Sequence, residues 1–253
     1  DLHLLDFDMP PIRLHASTQC DNRTPEQVIR LQQLGFRRVV LARELGIEEI
    51  RAIHDAVMNY SAAHNETPIE LEAFVHGALC VSYSGKCYMS EVLTGRSANR
   101  GCCSQMCRMQ YDLLDADMQE ICDKNGQPIH QRYLLSLQDM DRSTYLKELI
   151  DAGVTTFKVE GRLKDADYVT NLTAYYRQKI DTICPSANLP IYRFTFSPSP
   201  AKTFHRGGTD YFLHGRTPAM ANWQTPKSTG EYIGDVVETT GYALRVRLAK
   251  DIT

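Results

Sequence analysis

Apolar residues recur at two alternating spacings along most of the chain: short β-rich runs, then stretches with the three-and-four spacing of an amphipathic helix. Ile12 to His15 reads as a strand. Thr24-Pro25 then offers an N-cap with proline at the first helical position, and Val28, Leu31 and Leu34 form the apolar stripe of a helix that Gly35 ends. Arg38 to Ala42 (RVVLA) is the next expected strand, followed by a helix burying Ile47, Ile50, Ile53 and Val57. Glu72 to Leu79 contains a strand and Leu134 to Leu137 a shorter one. A helix from about Asp141 carries Leu146, Leu149 and Ile150 and stops at Gly153. Thr156 to Val159 is a strand leading into Glu160-Gly161-Arg162. Val169, Leu172, Tyr176, Ile180 and Ile183 then line a long helix that stops before Pro185.

Such βα alternation predicts an α/β fold with a parallel sheet, open or closed into a (β/α) barrel. Four or five strands are visible where a closed barrel needs eight, and the chain starts at Asp1, not Met. The expectation is a TIM-like barrel portion, incomplete at the N-terminus, over residues 1–184, with a cysteine-bearing insertion at about 80–110. A Pro- and Ser-rich connection follows over 185–228. Tyr232 to Val237 and Tyr242 to Leu248 read as strands that open a small β-rich domain over 229–253.

Composition supports an ordinary globular chain: 253 residues, 43% hydrophobic and 23% charged, with a mean hydropathy of -0.35. No apolar run approaches the length of a membrane span, so no membrane partner is expected. A net charge of -3 argues against holding nucleic acid by bulk charge, though local basic patches remain available. The sequence fixes nothing about oligomeric state.

Cysteine usage is less ordinary. Of eight cysteines, five fall between Cys80 and Cys107, in a chain long enough to form its own core. That pattern points to a reducing compartment, hence a cytoplasmic location, and to a metal site rather than a disulfide scaffold. The spacing is Cys80-x6-Cys87-x15-Cys103-x3-Cys107, with Cys102 directly before Cys103. Only Cys103/Cys107 resembles a structural zinc knuckle, so zinc is open but not favoured. A cubane iron–sulfur cluster tolerates irregular spacing and needs thiolates converging from loops, which the Gly, Ser and Asn residues among these cysteines would supply. Plain buried or surface thiols are the remaining alternative. Cys102 is expected to be a bystander, because adjacent cysteines ligate one cluster only with strain; Cys20, Cys122 and Cys184 are isolated. Lys86, Arg96, Arg100 and Arg108 surround the group against the single acid Glu91 and suit an anionic partner, or offset the charge of thiolates.

The run ELEAFVHGALCVSYSGKC (Glu70 to Cys87), TGRSANRG (Thr94 to Gly101) and CSQMCR (Cys103 to Arg108) resembles the signature of peptidase family U-32, the collagenase-like proteases. LHASTQCDNRT (Leu14 to Thr24), VLARELG (Val40 to Gly46), FKVEGRLKDADYV (Phe157 to Val169) and KTFHRGGTDYF (Lys202 to Phe212) extend the likeness over nearly the whole chain. Within the family it is most similar to the branch that makes 5-hydroxycytidine in 23S ribosomal RNA. The resemblance implies a (β/α) barrel with further units before this segment and a smaller β-rich domain after it. It also implies oxygen-independent hydroxylation of a pyrimidine in RNA, a [4Fe-4S] cluster on Cys80, Cys87, Cys103 and Cys107, and prephenate as co-substrate. Ribosomal RNA is the favoured partner, with a transfer RNA wobble uridine as an alternative target. Peptide hydrolysis is the competing activity, although no His-Glu-x-x-His occurs and no nucleophile pattern is recognisable.

In a barrel, the loops after the C-terminal strand ends build the site. The expected ends carry His15 and Gln19, Arg43 and Glu44, His76, and Lys158, Glu160 and Arg162. Arg43, Lys158 and Arg162 suit the carboxylates of a dianion, while His15, His76, Glu44 or Glu160 would handle a proton. Each has a plainer alternative. The glutamates precede helix starts and suit the N-terminal dipole, the arginines suit pairing with them, and a strand histidine is commonly a hydrogen-bonded core group. Lys202, His205 and Arg206 suit RNA phosphates or are ordinary loop charge.

Overall fold

The structure, a computed structural model, describes residues 2–161, 163–185, 194–249 and 251. Strand β1 (His15–Ala16) leads to helix α1 (Pro25–Gln33), whose N-cap Thr24 accepts the Gln27 N–H at 3.3 Å. Strand β2 (Arg38–Val40) precedes α2 (Ile47–His64). There the Glu49 carboxylate accepts the Gly46 N–H at 2.8 Å, and Asn65 ends the helix in the left-handed region. Strand β3 (Glu70–Gly77), the short helix α3 (Met89–Thr94), β4 (Asp139–Asp141), α4 (Leu146–Asp151), β5 (Val154–Val159), α5 (Ala166–Ile183) and β6 (Gly208–Thr209) follow. The antiparallel pair β7 (Gly234–Thr240) and β8 (Ala243–Leu248) forms a sheet of its own.

Strand β3 is the hub of the larger sheet. It pairs in parallel with β2 and β5 and, through His76↔Asp141 and Gly77↔Met140, antiparallel with β4, which in turn pairs in parallel with β6. The parallel α/β sheet expected from the sequence is therefore present. A closed barrel is not: among the described residues the sheet runs from β1 to β6 without the ends meeting.

Alternation along β3 divides the two faces. Leu71, Ala73 and Val75 join Val28 and Leu31 of α1, Ile50, Ile53 and Val57 of α2, Leu146 and Leu149 of α4 and Tyr176 of α5 in one apolar core. The opposite face carries a smaller cluster of Val40, Phe74, Leu79, Leu137, Met140 and Tyr211. It also carries a charge ladder: Arg38 donates to Glu70 at 2.8 Å and stands 3.6 Å from Glu72, and Lys158 reaches Glu72 at 3.1 Å. Glu72 is buried and lies between two cations, the arrangement that lets a carboxylate leave water.

Several expected boundaries shift. Ile12 is exposed and lies outside β1. Leu134 to Leu137 is not a strand; Leu137 makes one isolated bridge to Ala221, and the strand is Asp139–Asp141. The helix expected from Asp141 starts at Leu146, because the Asp141 carboxylate accepts the Ser143 N–H at 3.0 Å and holds a turn first. On α5 it is Tyr168, not Val169, that is buried.

Gly77 ends β3 at φ +108°, where a Cβ would come within 2.4 Å of the Glu160 carbonyl oxygen. Both the conformation and the clash oppose any side chain. Gly77→Ala is expected to destabilise the fold by more than about 1–3 kcal/mol, read as a lowered urea midpoint.

His214 bridges Asp210 at 2.9 Å and Glu148 of α4 at 3.0 Å. Those two hydrogen bonds raise its pKa above the ordinary 6.5. Its stabilising contribution is thus full below the ordinary value and lost as pH rises through the raised one. Urea midpoints taken from about pH 6 to about pH 8.5 should fall more for the parent than for His214→Gln.

Candidate functional site

The four favoured cysteines come from two segments, Cys80 and Cys87 before α3 and Cys103 and Cys107 after it, and share the region beyond the C-terminal end of β3. The Cys107 thiol feels the charge of Cys80, Cys87 and Cys103, and Cys80 that of Cys87 and Cys103. All eight cysteines are free thiols. Burial pushes the Cys80 and Cys107 thiols up, opposed at Cys80 by the Ser82 backbone N–H and at Cys107 by the Arg108 guanidinium. Cys80 still presents surface to solvent. At Cys103 the sulfur accepts the Gln105 N–H at 3.3 Å and the Ser90 hydroxyl at 3.9 Å. Such N–H and O–H donors are the kind found around cluster sulfurs. Of the others, Cys102 is exposed, Cys20 packs on the core, Cys122 bridges to Pro128 and Cys184 caps α5.

In donor chemistry, the four thiols therefore fit an iron–sulfur cluster. Among the described residues, no three His, Cys, Asp or Glu side chains stand at metal-coordinating spacing. The thiols share one region without being drawn to one point.

Arg108 fastens this region. Its guanidinium donates to the Leu79 carbonyl at 3.0 Å, the Leu137 carbonyl at 2.5 Å and the Ser136 hydroxyl at 2.8 Å. One side chain next to Cys107 thereby fixes the residue before Cys80. Glu44 fastens the same loop from the other side, accepting the Ser84 N–H and hydroxyl, each at 2.9 Å. Both its carboxylate oxygens are engaged there, so Glu44 serves as a loop anchor.

Arg43 lies 3.8 Å above the Phe74 ring and donates to Glu160 at 3.0 Å, tying the segment after β2 to the end of β5. Beneath it, the fully buried Arg142 donates to the Arg43 carbonyl and the Asp210 carbonyl, each at 3.1 Å. Burial lowers its pKa to about 10, which keeps it charged near neutrality.

His76 is 4% exposed and hydrogen-bonds the Tyr176 hydroxyl at 3.1 Å, which itself donates to the Val75 carbonyl. Burial lowers its pKa, so the imidazole is neutral at physiological pH. Nearby, Asp139 and Arg206 form a buried ion pair at 2.9 Å. Lys164 stands over the Phe204 ring and, among the described residues, pairs with no carboxylate. Arg206, Asp139 and Arg108 all act on its charge. At His205, Nδ1 accepts the Gly207 N–H at 3.3 Å, which leaves the proton on Nε2, a buried atom without a partner among the described residues.

Of the residues expected at the strand ends, Arg43, His76 and Glu160 do come together, with Glu44 beside the cysteine loop. Lys158 is turned to Glu72 within the charge ladder, and His15 is exposed on β1. Arg162 lies outside the described residues. Arg206, read as phosphate-seeking or loop charge, is instead half of a buried pair. Asp139, Arg142 and Lys164 escape a sequence reading because their partners lie far away in the chain, up to 99 positions for Arg142 and Arg43. Arg108 had one legible signal, its place directly after Cys107.

The sequence model of peptidase family U32 matches residues 2–223. The chain belongs to peptidase family U32. Among its U32 relatives, the 23S rRNA 5-hydroxycytidine C2501 synthase of Escherichia coli is 45% identical over 100% of this chain and 37% of its own length. The tRNA hydroxylation protein P1 of Bacillus subtilis is 31% identical over 90% of this chain and 52% of its own. A collagenase of Porphyromonas gingivalis is 32% identical over 81% of this chain and 48% of its own. This chain thus spans about a third to a half of the relatives it matches. No solved structure matches it significantly.

Replacing Arg108 by Met should leave two carbonyls and a hydroxyl short of a donor, at a cost of roughly 2–4 kcal/mol. The same change should speed alkylation of Cys80 and Cys107 several-fold in the reduced, metal-free protein, mapped by mass spectrometry.

Proposed function

We propose that this chain is the cluster-bearing part of an RNA-modifying enzyme that hydroxylates a pyrimidine without molecular oxygen, with 5-hydroxycytidine in 23S ribosomal RNA as the product. The observation that carries this reading is the 45% identity to the 5-hydroxycytidine synthase over the full chain. The hydroxylation protein of B. subtilis favours the same reaction class and keeps a transfer RNA uridine as the second substrate reading. A (β/α) barrel completed by further units is the fold this reading assumes, with the segments 185–228 and 229–253 as connection and start of a separate β-rich domain.

Cys80, Cys87, Cys103 and Cys107 would hold a [4Fe-4S] cluster. When bound, such a cluster supplies electron transfer or Lewis-acid binding at the C-terminal end of β3. The chain's own residues do the positioning: Arg108 and Glu44 hold the cysteine loops, and Arg43 with Glu160 joins the segments after β2 and β5. A small dicarboxylate of the prephenate type would meet the Lys164 ammonium, which pairs with no carboxylate among the described residues, beside the Asp139–Arg206 pair. Neutral His76 is suited to accept a proton and not to donate one. An RNA substrate and eight unpaired thiols favour a cytoplasmic setting. No helix among the described residues is long and apolar enough to cross a membrane.

Peptide hydrolysis is the second reading, favoured by the collagenase relative. One set of measurements separates the two. Cells lacking the gene should lose 5-hydroxycytidine by nucleoside mass spectrometry, and the parent gene should restore it where Cys80→Ala or Cys107→Ala does not. Anaerobically purified protein should carry iron and sulfide, with visible absorption lost in the same variants. Unchanged 5-hydroxycytidine together with gelatin hydrolysis would transfer the assignment to the peptidase reading.

A further inference from the structure

A cavity of about 900 Å³ opens between the N-terminal ends of α1 and α2, the Tyr83 loop and the turn at 212–216. Four side chains form a ladder along it. The Arg23 guanidinium stands 5.3 Å from the Tyr83 ring centre, Arg216 donates to the Tyr83 hydroxyl at 2.9 Å, and Arg216 lies 5.1 Å from the Phe212 ring centre. Phe212 in turn stacks on Tyr211, with centroids 4.0 Å apart and planes 11° from parallel. The ladder starts inside the cysteine loop, because Tyr83 lies between Cys80 and Cys87 and is 48% exposed.

Each carboxylate that lines the cavity is engaged by a donor of the protein itself. Asp21 is taken by Arg23 at 2.5 Å and Lys86 at 3.5 Å, Glu44 by Ser84, Glu48 by Arg51 at 3.7 Å, and Glu49 by the Gly46 N–H. Arg216 is exposed, lines the cavity, spends one N–H on the Tyr83 hydroxyl and, among the described residues, pairs with no carboxylate.

We infer that this groove binds unpaired RNA, with Tyr83 and Phe212 stacking on bases and Arg216 and Arg23 meeting the backbone phosphates and ring faces; the inference rests on the RNA-substrate reading above. Aromatic and guanidinium planes accept any unstacked base, and a guanidinium matches a phosphate in bidentate fashion. The volume is that of small-molecule sites, roughly 300–1,000 Å³, which takes unpaired nucleotides and not a helix. A base on Tyr83 would be delivered at the edge of the four thiols, where an extruded pyrimidine has to be presented for chemistry.

Binding of a fluorescein-labelled 12-nucleotide oligocytidylate to the full chain, followed by anisotropy, tests this. Tyr83→Ala and Arg216→Glu should each weaken binding about 5- to 100-fold, Tyr83→Trp should stay within about threefold of the parent, and an unlabelled RNA duplex should compete poorly. Arg216 is exposed, so its charge reversal serves if Tyr83→Ala does not fold, with thermal melting followed by circular dichroism as the check. Parent-like binding by well-folded Tyr83→Ala and Arg216→Glu overturns the inference, as does equal competition by duplex or an absence of binding by the parent. Cellular 5-hydroxycytidine judges the hydroxylation reading separately: Tyr83-dependent binding with that nucleoside unchanged keeps the groove and removes the reaction.

Discussion

Loops that carry chemistry need partners for their backbone carbonyls, and here a buried and a half-buried guanidinium group provide them. Arg142 binds the carbonyls of Arg43 and Asp210, and Arg108 binds those of Leu79 and Leu137. Each bond is charge-assisted, and each guanidinium is planar with its donors in fixed directions. Two loops held by one side chain cannot move independently. Without Arg108 and Arg142, the cysteine loop would keep its Glu44–Ser84 bonds and the segment after β2 its Arg43–Glu160 pair, but the carbonyls would lose their donors.

The two faces of the sheet divide the labour. Against the helices, Leu71, Ala73 and Val75 take part in a close-packed apolar core. On the other face, Glu70, Glu72, Arg38 and Lys158 form paired charges, with Phe74 between Arg43 and Lys158. The apolar side fixes the strands in space. The paired side can then hold polar groups in set orientations at little further entropic cost, which is the preorganisation a site requires.

Legibility in the sequence followed the range of the interactions. Helix α2 and strand β3 were readable because their apolar spacing is local. Strand β4 was not, since Asp139–Asp141 is two-thirds acidic and is a strand only through pairing with β3 and β6. The expected C-terminal strand ends marked Arg43, Glu44 and Glu160 as candidate site residues. Pairing of the arginines with the glutamates was one reading of them, and Arg43 does meet Glu160, whereas the bonds from Ser84 that take up Glu44 had no signal in the sequence.

The Arg43–Glu160 pair closes across 117 positions, Arg142–Arg43 across 99 and Arg206–Asp139 across 67. Contacts so distant form only after the intervening chain has collapsed, because loop closure must precede their reward. The loops that carry Cys80, Cys87, Cys103 and Cys107 therefore take their final places after β3 has its neighbours. Until then, eight reduced cysteines are loosely held and open to oxidants and to mispairing. The placement of the cysteine loops is thus coupled to long-range closure of the whole sheet.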